Sequence, residues 1–269
     1  DSVNPDLVAN GAGEGAIARF IAGWLSAAGL EVRLDEIRPG RPNVIAWARG
    51  SGGGPTLMLN GHIDTVGVAG MSAPHHPRIE NGRMYGRGAY DMKCGVAACM
   101  LAITDARDRN LRGDVLFTAV MDEEYAGLGA LDVAQRYRAA AAIIAEPTEL
   151  ELVVAHKGFV WLEVETLGAA AHGSIPGAVD AIAHMGPVLA ELAALNRRLL
   201  ANPTHPILGS GSLHAATIAG GQELSSYPER CILQIERRTL PGETPESVEA
   251  ELQTIIDRLV AADPTFQAV

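Results

Sequence analysis

Between positions 15 and 30, Ile17, Phe20, Ile21, Trp24, Leu25 and Ala28 recur at the spacing of one face of an α-helix, and Gly29 marks its end. Short β-type runs follow at 43–48, 56–60, 114–120, 140–145 and 151–155, with helical stretches at 95–106 and 129–137 among them. Strands alternating with helices predict an α/β layer architecture around a largely buried sheet. After Lys157 the pattern changes. Residues 159–166 alternate so that Val160, Leu162, Val164 and Thr166 share one face, and a long helix covers 178–200. Strands follow at 212–219 and 231–239, then a helix over 244–261 with Thr244-Pro245-Glu246 as its N-terminal cap, and a final strand from Phe266. This order predicts a ferredoxin-like α+β domain. The expected division is therefore 1–157 and 158–269.

With 48% hydrophobic and 20% charged residues, the chain has apolar material for a sizeable core. A net charge of −11 argues against nucleic acid and anionic membrane surfaces as partners, since both demand clustered Lys and Arg. No apolar run approaches the ~20 residues that span a bilayer, and no signal peptide is visible, so a cytoplasmic location is expected. Cys94, Cys99 and Cys231 are too few, and odd in number, for a disulfide framework; they read as buried residues of a reducing compartment.

Four clusters carry candidate chemistry, each placed where a predicted strand ends. In the extended Gly61-His62-Ile63-Asp64, His62 and Asp64 point to the same side, so the carboxylate can orient the imidazole while its other nitrogen binds a metal. Asp91 lies between glycines at a predicted helix start, and reads either as an N-cap or as a carboxylate bridging two cations. Asp122, Glu123 and Glu124 form a run that is either an acidic surface turn or a set of carboxylates needing cations to offset their repulsion. Glu146 follows the strand at 140–145, and Pro147 ends it. One imidazole with several carboxylates suits zinc, cobalt or manganese better than a soft metal.

At these residues the chain resembles the metallopeptidase family of acetylornithine deacetylase, succinyl-diaminopimelate desuccinylase and carboxypeptidase G. GHIDTV, GRGAYDMKCG, MDEEY and AEPT occur in the family's order, and AHGS and RRTLPGE match its second domain. The resemblance implies a catalytic domain with a central mixed sheet over 1–157 and a lid or dimerisation domain over 158–269. It implies two divalent ions, zinc foremost, with His62 and Glu146 on one, Glu124 on the other and Asp91 bridging. Glu123 is then the general base, Asp64 the brace of His62, His172 a group that stabilises the oxyanion in a neighbouring subunit, and Arg238, beside Arg237, a ligand for a substrate carboxylate. The implied reaction is hydrolysis of an amide bond in an N-acyl amino acid or small peptide, by a homodimer joined through the lid.

One departure stands out. The family's second metal takes a further histidine from a C-terminal segment, and no histidine here occupies that context: His75, His76, His184, His205 and His214 read as solvated or structural. The first metal site is therefore expected nearly intact, the second incomplete, and the catalytic sheet short of its C-terminal part. The rival reading is a family member or fragment that binds ligand or dimerises without turnover. Nucleotide binding by Gly11-Ala12-Gly13-Glu14-Gly15 is disfavoured, because these residues follow no strand and Glu14 would repel phosphate.

Overall fold

The computed structural model describes residues 1–269, which separate into two compact units, 1–151 and 152–269. The first unit runs α1 (Gly15–Ala27), β1 (Glu31–Arg38), β2 (Arg41–Ala48), β3 (Leu57–His62), β4 (Arg78–Glu80), β5 (Arg83–Tyr85), α2 (Lys93–Arg107), β6 (Val115–Val120), α3 (Leu128–Arg136) and β7 (Ala141–Ile144). Its mixed five-stranded sheet has the order β1-β2-β6-β3-β7, with β3 parallel to both β6 and β7 and β2 antiparallel to its two neighbours.

Every residue of β6 is buried, as a central strand covered on both faces requires. Phe117 and Ala119 join a core with Ala18, Ile21 and Leu25 of α1 and Val96, Cys99 and Ile103 of α2. Leu116 and Val120, pointing the other way, pack with Val133 of α3. Because β3, β6 and β7 run in one direction, their carboxyl ends open on the same edge of the sheet, the edge at which open α/β sheets gather ligands.

The second unit runs β8 (Gly158–Leu167), β9 (Ala171–His172), α4 (Ala181–Ala201), β10 (Ser212–Gly220), β11 (Ser226–Tyr227), β12 (Arg230–Thr239), α5 (Pro245–Ala262) and β13 (Gln267–Ala268). Its four-stranded sheet is antiparallel, in the order β10-β12-β8-β13. Strict alternation along β12 buries Cys231, Leu233 and Ile235 in a core with Met185, Val188 and Leu192 of α4 and Ile255 and Ile256 of α5. Thr244 caps α5 as expected, accepting the Ser247 backbone N–H at 3.3 Å, with Pro245 in the first turn. No helix is long and apolar enough to cross a membrane.

The structure departs from the sequence reading at three points. The strand expected at 151–155 is absent, and Leu152, Val153 and Val154 are exposed. An apolar run becomes a strand only where a neighbour takes up its backbone hydrogen bonds, and none does so here. Conversely, β1 was not foreseen, because Glu31, Arg33, Asp35, Glu36 and Arg38 crowd its eight residues and break the apolar alternation. Its antiparallel pairing with β2 holds it as the sheet's edge. Cys94 is also exposed, against the expected burial of all three cysteines, because it lies on the outer side of the first turn of α2.

Candidate metal centre

The last residue of β3 supplies the only imidazole of the site. His62 is buried, with Nδ1 3.0 Å from the Asp64 carbonyl oxygen and 3.5 Å from Asp64 Oδ1. Its Nε2 lies 2.9 Å from Asp91 Oδ1, 3.7 Å from Glu146 Oε1 and 3.8 Å from Glu123 Oε2. Two trios have ligand atoms all within 4.8 Å of one another: His62 with Asp91 and Glu124, and His62 with Glu123 and Glu146. Six of the seven side chains in the four clusters, all but Asp122, thus converge within the first unit.

Local geometry explains how each arrives. Asp91 precedes α2, whose N-cap is Met92 without a side-chain cap bond, so Asp91 faces His62 and is not the helix cap. Gly95, in the first turn of α2, lets the 145–146 segment lie against the helix: a Cβ there would sit 2.1 Å from the Ala145 carbonyl oxygen. Glu146 is thereby held at the end of β7. Asp64 is fully buried; Oδ1 accepts the Glu123 backbone N–H and Oδ2 that of Glu124, both at 3.1 Å, and Oδ2 also accepts Asn4 Nδ2 at 2.7 Å.

The run 122–124 is not one acidic surface. Asp122, with φ of +65°, turns inward and is fully buried, accepting from Arg41 Nη2 at 3.2 Å and Asn4 Nδ2 at 3.1 Å. Asp is among the residues that tolerate this left-handed backbone. Its charge is met by Arg41, so only Glu123 and Glu124 reach the cluster. Sequence reasoning missed Asn4 and Arg41 here. Glu14, weighed there only as a phosphate repellent, is buried and pairs with Arg41 through two bonds of 2.7 Å.

Electrostatics show what the cluster lacks by itself. Burial, joined by the charges of Asp91, Glu123 and Asp64 and opposed by His62, pushes the Glu124 carboxyl up to about 7. Burial likewise raises Glu146. Burial works against a charged His62, but the Asp64 bond and the charges of Glu123, Asp64 and Glu146 outweigh it and push the imidazole up to about 10. Carboxylates driven toward protonation and an imidazole driven toward charge describe a cluster of acceptors short of positive charge. Oxygen and imidazole donors at this spacing fit a divalent cation of the zinc, manganese or cobalt kind.

The other candidates lie in the second unit. His172, on β9, is exposed, with Nδ1 2.8 Å from Ser174 Oγ. Neighbouring arginines on β12 differ sharply: Arg237 is buried against Glu243 at 2.6 Å, whereas Arg238 faces outward, paired with Glu236 and stacked 5.6 Å over Phe159. Of the remaining histidines, His75 lies 3.4 Å from Asp1, His184 packs its ring 5.2 Å from Phe266, His205 accepts two backbone N–H groups, and His214 lies 3.7 Å from Glu236.

Comparison with known proteins places the chain in a family. Residues 58–263 match the model of peptidase family M20/M25/M40, and the chain belongs to that family. It is 32% identical to an acetylornithine deacetylase of Myxococcus xanthus, over 91% of this chain and 67% of that protein. It is 28% identical to the N-formyl-4-amino-5-aminomethyl-2-methylpyrimidine deformylase of Bacillus subtilis, over 92% of this chain and 63% of that protein. The chain thus spans a little under two thirds of the deformylase's length. Among solved structures, an M20 family metallo-carboxypeptidase from Sulfolobus solfataricus shares its fold with a TM-score of 0.73 at 18% identity, over 98% of this chain and 75% of that one. A dinuclear metal binding peptidase of the M20 family from Bacillus subtilis gives 0.64 at 16% identity, over 96% and 67%.

Proposed function

We propose that this chain carries the metal-holding part of an amidohydrolase acting on an N-acyl amino acid or small peptide. The observation that carries the reading is the meeting of His62 Nε2 with carboxylates from three separate loops, within 4.8 Å. His62, Asp91, Glu124 and Glu146 would hold two divalent ions, zinc first among the candidates, with Asp91 shared. When bound, such ions lower the pKa of water and polarise a carbonyl. Two of the relatives above are named for removing an acyl group from nitrogen, which supports a C–N bond as the target.

The side chains then divide the work. Glu123 is more exposed than Glu124, which suits a base that takes a proton from the attacking water and passes it to the leaving amine. Asp64 fixes the His62 ring and, through two backbone N–H bonds, the position of Glu123 and Glu124. The second unit, whose four-stranded sheet and two helices follow a ferredoxin-like β-α-β-β-α-β order, serves as the lid and the joint of a homodimer. In it, His172 stabilises the oxyanion in a neighbouring subunit, and the outward-facing Arg238, not the buried Arg237, receives a substrate carboxylate.

The competing reading is a chain that binds metal or ligand without turnover. What favours it is that His62 is the one imidazole in the cluster. Two variants separate these roles. Glu123→Gln should keep its metal and lose amine release from N-acyl amino acids by about 10²–10⁴-fold, whereas Glu124→Gln should lose metal. The opposite pattern reverses the two glutamates, and wild-type chain that holds metal without releasing amine supports the competing reading.

A further inference from the structure

A buried amide is costly unless its donors and acceptors are all met. Asn4 is fully buried near the chain's N-terminus, and its side chain makes four hydrogen bonds. Its Nδ2 donates to Asp64 Oδ2 at 2.7 Å and to Asp122 Oδ1 at 3.1 Å. Its Oδ1 accepts from Arg41 Nη2 at 3.2 Å and from the Asp6 backbone N–H at 2.9 Å. The amide can sit only this way round, because a flip would turn its oxygen onto two carboxylates and its nitrogen onto a guanidinium.

The backbone of the same residue is tied to the loop after β3. Asn4 N–H donates to the Thr65 carbonyl at 2.9 Å, and Thr65 N–H to the Ser2 carbonyl at 3.0 Å, around the Val3–Thr65 bridge. Asn4 therefore joins the loop that carries His62 and Asp64 to the loop that carries Glu123 and Glu124. Arg41 backs it from behind, bonded to Glu14 through two 2.7 Å contacts and to Asp6 at 2.5 Å.

We propose that Asn4, held by the Arg41–Glu14 pair, is a positioning residue that sets the spacing between His62 and the two glutamates by fixing the Asp64 carboxylate. Asp64 and Asp122 each lie within 3.1 Å of the one Asn4 nitrogen. Without that donor, two buried carboxylates face each other, and Asp64 relieves the repulsion by turning off the Glu123 and Glu124 amides. The consequence for metal binding rests on the reading of the site given above; the consequence for the amides does not.

The experiment uses residues 1–269 with Asn4→Ala and the nearly isosteric Asn4→Asp, so that one variant remains if the other fails to fold. Ser2→Ala, at a buried hydroxyl without a hydrogen-bond partner, controls for disturbance of the N-terminal segment. Leu25→Ala, in the core, controls for general loss of stability. In metal-free chain, hydrogen exchange at the Glu123 and Glu124 amides is expected to speed by about tenfold or more in both Asn4 variants, with the β6 amides unchanged. Zinc affinity by chelator competition is expected to fall about 10–100-fold, as for other groups that orient ligands, while Ser2→Ala and Leu25→Ala leave it in place. Unchanged exchange at Glu123 and Glu124 in a folded Asn4 variant overturns the proposal, whatever the metal does. Faster exchange in a chain whose wild type binds no zinc upholds the positioning role and strikes instead the metal reading of the site.

Discussion

Asp64 Oδ1 accepts the Glu123 backbone N–H at 3.1 Å while lying 3.5 Å from Nδ1 of His62, so one carboxylate oxygen links the ends of two parallel strands. Parallel neighbours diverge into separate loops after their last paired residues, and something must hold those loops together if they are to share a ligand. Here a buried charge does so. Replacing Asp64 with Ala leaves the Glu123 and Glu124 N–H groups and one of the two Asn4 Nδ2 hydrogens without their acceptor. The expected loss is about 1–3 kcal/mol for each buried group left unmet, before water or rearrangement offsets it, and about 10–100-fold in zinc affinity. Urea unfolding and chelator competition on the same preparation check both.

Gly95 is where α2 and the Glu146 segment touch. Gly95→Ala puts a Cβ 2.1 Å from the Ala145 carbonyl oxygen, which must move. The overpacking should cost about 1–3 kcal/mol and should weaken zinc retention by carrying Glu146 outward. A variant with wild-type thermal midpoint and zinc affinity would show that the contact relaxes freely.

Asp35 gives a pH dependence away from the metal site. Burial raises its pKa, but bonds from Arg33 and Tyr137 and the charges of Arg33 and Arg136 outweigh that and leave it below the ordinary 3.8. A carboxylate held lower in the folded state adds stability that is present above 3.8 and is lost as the pH falls through the folded value. The difference in unfolding free energy between wild type and Asp35→Asn should therefore be constant near neutrality and shrink on acidification below 3.8. Urea midpoints measured across that range decide it.

The three thiols should react at different rates. Cys94 is exposed, whereas Cys99 and Cys231 are buried, and burial pushes the Cys99 thiol up to about 11. A disulfide reagent at mildly alkaline pH should modify Cys94 quickly and the other two only on unfolding, because the thiolate is the reactive form. Fast reaction of all three would contradict the packing of α2 and β12.

Much of this was legible in the sequence because it is periodic or local. Apolar spacing gave the helices and the strands that pack against them, and His62, Asp91, Glu123, Glu124 and Glu146 each follow a strand or precede a helix that could be read without the structure. What escaped depends on partners distant in the chain. The charged β1 exists through its pairing with β2, and 151–155 fails to be a strand because no neighbour takes it. Asp122 looked like Glu123 and Glu124 until its backbone turned it toward Arg41. The only local trace of that core was Glu14 just before α1 and Arg41 opening a strand whose later residues are mostly apolar.

The most direct measurement is the zinc content of the purified chain and of His62→Ala after dialysis against a weak chelator. Zinc held by the wild type and lost from a folded His62→Ala is the result expected if His62 anchors the cluster. Zinc absent from the wild type, or retained undiminished by the variant, would contradict the assignment of these side chains as a metal site.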